Sequence, residues 1–215
     1  MAKSTETPDY REESKLLSYG FNVIAGVDEV GRGTVAGPIV VGIAVIPLHP
    51  QGEWLKSIKD SKLLSPLQRI KAVEHMNQKN VSMATGSASS IEIDKLGIVM
   101  STSLAAKRAV DALGKTPDIL LVDGFKLPEI PLHQKPIIKG DRKCLSIAAA
   151  SIIAKVTRDN FMDVQHKIYP EYSFYKNKGY LTKTHNEAIK VHGPCMIHRY
   201  TFKPISSINT KRLFD

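Results

Sequence analysis

Cysteine is nearly absent from this chain: among 215 residues only Cys144 and Cys195 carry thiols, and they stand far apart. With no CxxC pair, a zinc knuckle is disfavoured. The spacing alone does not exclude a disulfide, but two idle thiols are the expectation for a chain of this kind. Long apolar runs are missing too, so nothing is long enough to span a bilayer. The start, Met1 to Tyr10, lacks the apolar core of a secretory signal. A cytoplasmic protein with no membrane partner is expected. No internal repeat and no low-complexity tract occurs. Acids are outnumbered, 21 against 30 lysines and arginines, leaving a formal charge of +9. That balance favours a polyanionic partner.

The excess of positive charge is concentrated near the end. Residues 176–215 hold eight lysines and arginines against two acids. Tyr172, Phe174, Tyr175, Tyr180, Tyr200 and Phe202 lie beside or among them. Cations interleaved with aromatics suit sugar–phosphate contact and stacking; a solvated basic tail is the plainer alternative.

The most informative stretch is Gly26-Val27-Asp28-Glu29-Val30-Gly31-Arg32-Gly33. Two adjacent carboxylates end an apolar segment, where desolvation is costly without a cation. A hard divalent metal such as Mg2+ is the simplest partner. The glycines allow close backbone approach, and Arg32 offers a phosphate-matching fork. Together they suggest phosphodiester chemistry.

Patterning predicts a polar, disordered start over residues 1 to about 9, then a helix from Tyr10 to Tyr19 stopped by Gly20. Strands are predicted over Val23–Val30, Ile39–Ile46 and, more weakly, Ser82–Ser89. Ser65-Pro66 reads as an N-cap with proline at the first helical position, opening a helix to about Asn77. One or two helices fill Ile91–Gly114. Ile119–Val122 reads as a buried strand delivering Asp123, and Pro136–Lys139 as a brief strand delivering Asp141. A long helix follows, with Ile147, Ala150, Ala154, Thr157, Phe161, Val164 and Ile168 along one stripe. A last helix spans about Lys183–Val191. The order suggests a mixed α/β sheet with packed helices.

Three strand ends thus carry acids: Asp28-Glu29, Asp123 and Asp141. A lone aspartate there is usually a turn or cap residue, but three sites sharing the pattern weaken that reading. Four carboxylates brought together repel one another unless metal neutralises them. Two hard cations about 4 Å apart satisfy them, as in nucleases and polymerases. Gly31-Arg-Gly33-Thr-Val-Ala36 also fits a dinucleotide-binding pattern. That fingerprint needs a helix starting at the glycines, and Gly37-Pro38 followed by a β-branched run excludes one here.

These residues resemble the signature of type 2 ribonuclease H, the ribonuclease HII group. The resemblance extends to Asp60-Ser61-Lys62, Leu121-Val122-Asp123-Gly124, Lys139-Gly140-Asp141, Ser146 to Lys155, and Lys178-Gly179-Tyr180 with His185. It runs in order from about residue 22 to 204, departing at Leu63 and Leu181, where the family often has lysine and glycine or proline. It implies an α/β, ribonuclease H-like mixed five-stranded sheet flanked by helices, with a C-terminal helical extension. Residues 1–19 form a tail and short helix, 20–170 the catalytic core, and 171–215 the extension within the same domain.

The implied activity is metal-dependent endonucleolytic cleavage of RNA in RNA–DNA hybrids. Incision 5′ of single ribonucleotides in duplex DNA is implied too, leaving 3′-hydroxyl and 5′-phosphate ends, by a monomer using Mg2+ or Mn2+. By position, Asp28, Glu29, Asp123 and Asp141 are the catalytic, metal-binding carboxylates. Gly31, Arg32 and Gly33 resemble the loop whose backbone reads the 2′-hydroxyl, the group that distinguishes RNA from DNA. Tyr180 resembles the aromatic packed on the following deoxyribose; the plainer reading is a core or surface tyrosine. Lys62 and Arg32 contact phosphate, and Ser146 at a helix start holds the substrate backbone. His185, counted on the substrate side, has two readings: orienting the Tyr180 loop, or a satisfied polar residue. A non-catalytic nucleic-acid binder of the same fold would have lost acids. The related type 3 enzyme carries an extra N-terminal domain, for which the roughly 20 residues before the first strand are too few.

Overall fold

A computed structural model of the chain describes residues 7–207. The expected disorder at residues 1–6, and the question of order over 208–215, lie outside the described residues. Asp9, expected in the disordered start, is tied down: its amide donates to Lys143 O at 3.1 Å, and its carbonyl accepts from Leu145 N at 3.0 Å. Both cysteines are free.

Five strands form one sheet: β1 (Ile24–Val30), β2 (Ile39–Val45), β3 (Ser82–Ala88), β4 (Ile119–Asp123) and β5 (His133–Ile137). Their order is β3-β2-β1-β4-β5. β2 runs antiparallel to both β1 and β3, while β4 pairs parallel to β1 and β5 parallel to β4. Among the described residues six α-helices pack on the sheet or on one another: α1 (Arg11–Ser18), α2 (Pro66–Gln78), α3 (Ser90–Ala112), α4 (Leu145–Ile168), α5 (Phe174–Asn177) and α6 (Lys183–His192).

Local chemistry explains the helix starts. Ser65 and Gln68 close a reciprocal capping box ahead of Pro66, and Ser89 with Glu92 does the same for α3. Whether Ile91–Gly114 is one helix or two resolves at Gly97, whose φ of 76° kinks α3. β5 starts three residues before the predicted strand. The prediction followed the apolar pair Ile137-Ile138, but an edge strand needs no apolar run, and Ile138 is exposed.

Strand alternation divides the core. Val27, Val41 and Ile43 face α3. Gly26, Gly42 and Ala44 face α4, together with Ala148, Ala149 and Ala150. Contact on that side is backbone to backbone: a Cβ on Gly26 would lie 2.1 Å from the Ser146 carbonyl carbon, and one on Gly42 2.1 Å from Ala150 O. The predicted stripe of α4 holds only in its first half. Ile147, Ala150 and Ala154 are buried, while Phe161, Val164 and Ile168 are exposed. Arg158 and Met162 are buried in their place, because α4 outruns the sheet and meets the C-terminal segment. Tyr172 and Phe174 are core residues as well, stacked at 5.4 Å, so of the aromatics expected near nucleic acid only Tyr175 and Tyr180 are strongly exposed.

Gly26→Ala is expected to cost at least about 3 kcal/mol, because the helix backbone itself must move. A thermal midpoint close to wild type would contradict this account of the seam.

Candidate active site

β1 and β4 pair in parallel up to Val27 and Val122, so Asp28 and Asp123 lie next to one another where that pairing ends. Asp28 is buried and faces Ser151 of α4, whose hydroxyl also lies 2.9 Å from that of Ser61. Asp28 Oδ1 accepts from the Glu29 amide at 2.7 Å. Asp123 Oδ1 accepts from Gly140 N at 2.7 Å, which draws the turn carrying Asp141 against the end of β4. Asp141 is buried, with Lys62 Nζ 3.5 Å from its Oδ2. Arg32 reaches to 3.8 Å from Glu29 and stacks its guanidinium 4.2 Å over Phe125. The four expected acids, Lys62 and Arg32 therefore share one site.

The charges there are unbalanced. Burial, then Glu29 and Asp123, push Asp28 up to about 8, against a hydrogen bond from Ser151. Burial raises Glu29, opposed by Arg32 and reinforced by Asp123. Burial also raises Asp123, opposed by the Gly140 amide. Burial works to lower Lys62, but Asp141, Asp60 and Asp28 outweigh it and raise the amine. Among the described residues no three acidic, histidine or cysteine side chains already form an ion cage. The donor set nonetheless fits a hard divalent cation: every candidate ligand is a carboxylate oxygen, and three of the four resist ionising without added positive charge.

Two further expected residues lie beneath the surface. Ser146 is fully buried in the first turn of α4, and both its amide (2.8 Å) and hydroxyl (2.6 Å) donate to the Glu13 carboxylate of α1, so neither donor is left for substrate. His185 is also fully buried. Its bonds support the orienting alternative. Cys195 N donates to His198 Nδ1 at 2.9 Å, so the proton of His198 sits on Nε2, which donates to His185 Nε2 at 3.0 Å. His185 Nδ1 then donates to Tyr180 O at 2.8 Å. Burial, and then the facing imidazole, push His198 down to about 3, and burial lowers His185, so the relay is neutral. It holds the backbone of Tyr180, a residue that is 46% exposed.

The two loop glycines differ in cause. Gly31 has φ of 90°, and a Cβ there would lie 2.2 Å from Arg158 Nε; a Cβ on Gly33 would meet nothing. Gly31 is demanded by the fold, whereas Gly33 leaves open space. Missed in the sequence were Ser151, which faces Asp28, and Arg69, which donates to Ser61 O (3.0 Å) and Leu64 O (2.7 Å) and so holds the Lys62 loop. Arg199, counted with the surface charge, is fully buried.

The family model for ribonuclease HII matches residues 25–205. The chain belongs to the ribonuclease HII family. A ribonuclease HII from Dehalococcoides mccartyi is 46% identical over 201 residues, covering 94% of this chain and 95% of that one. The ribonuclease H2 of Pyrococcus horikoshii has the same fold, with a TM-score of 0.71 at 29% identity, covering 86% of this chain and 96% of that one. A Bst ribonuclease HIII solved in complex with Mn2+ shares the fold alone, with a TM-score of 0.65 at 20% identity over 86% and 68% of the chains. As a ribonuclease HII family member the chain is a metal-dependent endonuclease that hydrolyses RNA in RNA–DNA hybrids. Among the described residues no helix is long and apolar enough to cross a membrane.

The buried acids predict proton-linked metal binding. Between 3.8 and about 8 the unfolded chain releases the Asp28 proton and the folded chain keeps it, so the metal-free protein loses stability as pH rises through that window. The gain in thermal midpoint on adding Mg2+ is therefore expected to be larger near about pH 8 than near about pH 5, and mostly absent in Asp28→Asn. An equal gain at both values would contradict it.

Proposed function

We propose that this ribonuclease HII incises duplex DNA on the 5′ side of a single embedded ribonucleotide, as well as cutting the RNA strand of longer hybrids, and leaves 3′-hydroxyl and 5′-phosphate ends. The observation that carries the reading is the open position of Gly33, the exposed tip of an otherwise largely buried loop that joins the acid cluster to Tyr180. Val35 N donates to Gly179 O at 3.0 Å, which links that loop to the tyrosine. A backbone with no side chain in the way can approach a ribose closely enough to test for its 2′-hydroxyl.

In this reading Asp28, Glu29, Asp123 and Asp141 hold two Mg2+ or Mn2+ ions. Ions held by these residues would supply an activated water and charge stabilisation for the departing 3′ oxygen. The chain's own groups do the rest. Arg32, held over the Phe125 ring, presents its fork to a phosphate beside the cut. Lys62, on an exposed stem, neutralises Asp141 in the free protein and turns to phosphate when a cation takes its place. Tyr180 stacks on the deoxyribose after the ribonucleotide, and the histidine relay keeps it there. Residues 20–170 act as the catalytic core. The segment from 171 onward is an extension of the same domain, since Tyr172 and Phe174 share a core cluster with Val35 and Ala36. The enzyme works as a cytoplasmic monomer.

The test is cleavage of a DNA duplex containing one ribonucleotide, against an all-DNA control, with Mg2+ and with Mn2+. Wild type is expected to cut only beside the ribonucleotide. Asp28→Asn is expected to lose about a thousandfold or more, and Tyr180→Ala at least about tenfold on this substrate. Gly33→Ala is expected to keep the wild-type thermal midpoint and lose at least about tenfold in activity. Equal cutting of the all-DNA control, or a fully active Gly33→Ala, would overturn the recognition claim.

A further inference from the structure

Two arginines, Arg158 of α4 and Arg199, are fully buried, yet neither forms an ion pair among the described residues. A buried guanidinium without a carboxylate is costly, and here each is paid back by backbone carbonyls. Burial pushes Arg158 down to about 10 and, with Arg158 beside it, Arg199 down to about 9, so both stay charged at neutral pH.

The carbonyls they hold are those of the two proposed reading loops. Arg199 Nη2 donates to Gly31 O at 2.6 Å and Nη1 to Arg32 O at 3.1 Å, while Nε and Nη2 reach Gly37 O at 3.1 and 2.9 Å. Arg158 Nε donates to Pro38 O at 2.9 Å, and Nη2 to Ala36 O at 3.0 Å and Thr34 Oγ1 at 2.9 Å. Its remaining nitrogen, Nη1, donates to Lys178 O at 2.7 Å, two residues before Tyr180.

Peptide planarity turns these bonds into a statement about the outer surface. In a trans peptide the C=O of one residue and the N–H of the next point in opposite directions. With the carbonyls of Gly31 and Arg32 turned inward onto Arg199, the amides of Arg32 and Gly33 are turned outward. Among the described residues neither amide has an intramolecular acceptor. A lysine in place of Arg199 could not reach this geometry, since its single ammonium lacks the planar fork.

We infer that Arg199 and Arg158 are positioning residues for 2′-hydroxyl recognition: Arg199 fixes the outward direction of the Arg32 and Gly33 amides, and Arg158 fixes the distance from that loop to Tyr180. The inference rests on the proposed reading of the Gly31–Gly33 loop. Neither arginine touches the nucleic acid. Each acts through the carbonyls it holds, so its loss removes discrimination and leaves general duplex affinity intact.

The experiment measures binding by fluorescence anisotropy to two duplexes, one with a single ribonucleotide and one all DNA. Ca2+ replaces Mg2+ so that the complex is read without turnover. The readout is the ratio of the two affinities for wild type, Arg199→Lys, Arg158→Lys and Thr34→Val. The last removes a hydroxyl that accepts from Arg158 and lies 3.0 Å from Gly31 O, at nearly unchanged volume. Met76→Ala, in the buried cluster under α2, shows what lost stability alone does to the ratio. The ratio is expected to fall about tenfold in Arg199→Lys and several-fold in the other two loop variants, with all-DNA affinity and the Met76→Ala ratio at wild-type values. Should Arg199→Lys fail to fold, Thr34→Val and Arg158→Lys carry the same test. A wild-type preference retained in the loop variants, or an equal fall in Met76→Ala, would overturn the inference alone. No preference in wild type would overturn the underlying reading of the loop instead.

Discussion

The seam between α4 and the sheet is the constraint on which the other parts depend. Gly26 and Gly42 leave no side chain between strand and helix, and alanines line the facing helix. At that separation Ser151 reaches Asp28, and the turn before α4 places Asp141 where Gly140 can donate to Asp123. One turn beyond Lys155, Asp159 pairs with Arg69, which grips the Lys62 loop, and Arg158 reaches under the Gly31 loop. A single helix therefore registers the acids, the lysine and the recognition loop against one another. Dispersion and burial supply the rigidity; the polar contacts supply direction.

Buried charge is handled in two opposite ways. On the arginine side the account closes within the protein, since carbonyls facing inward satisfy each guanidinium and the loop is ordered as a result. On the carboxylate side it does not close. Asp28, Glu29 and Asp123 have a serine, an amide or an arginine for company, and ionised together they would carry more negative charge than Lys62 and Arg32 offset. The first arrangement suits a fixed template, and the second a site completed by a cation.

Much of this was legible in the sequence because it was local. The acids mark strand ends, Ser65-Pro66 announces a helix, and the run Ile119–Val122 is a buried strand by composition alone. What was illegible depends on tertiary contact. Ser146 sits at a helix start and reads as an anion contact, but Glu13, distant in sequence, takes both its donors. Arg199 reads as one more cation in a basic segment, and only the return of residues 197–199 alongside Val35 to Gly37 buries it. The apolar stripe of α4 misled for the same reason. Period alone does not say where the sheet ends, and past that point the buried positions belong to Arg158 and Met162. Aromatic residues near basic ones were overread as a stacking surface, since Tyr172 and Phe174 close the small core beneath Tyr180.

The central claim is that a divalent cation is what allows the strand-end carboxylates to ionise together. It is tested most directly by calorimetric titration of the protein with Mn2+ near about pH 7 in two buffers of different ionisation enthalpy, which counts protons released on binding. The account predicts about one proton released as the ion binds, and none in Asp28→Asn. Binding with no proton released in the wild type would contradict it.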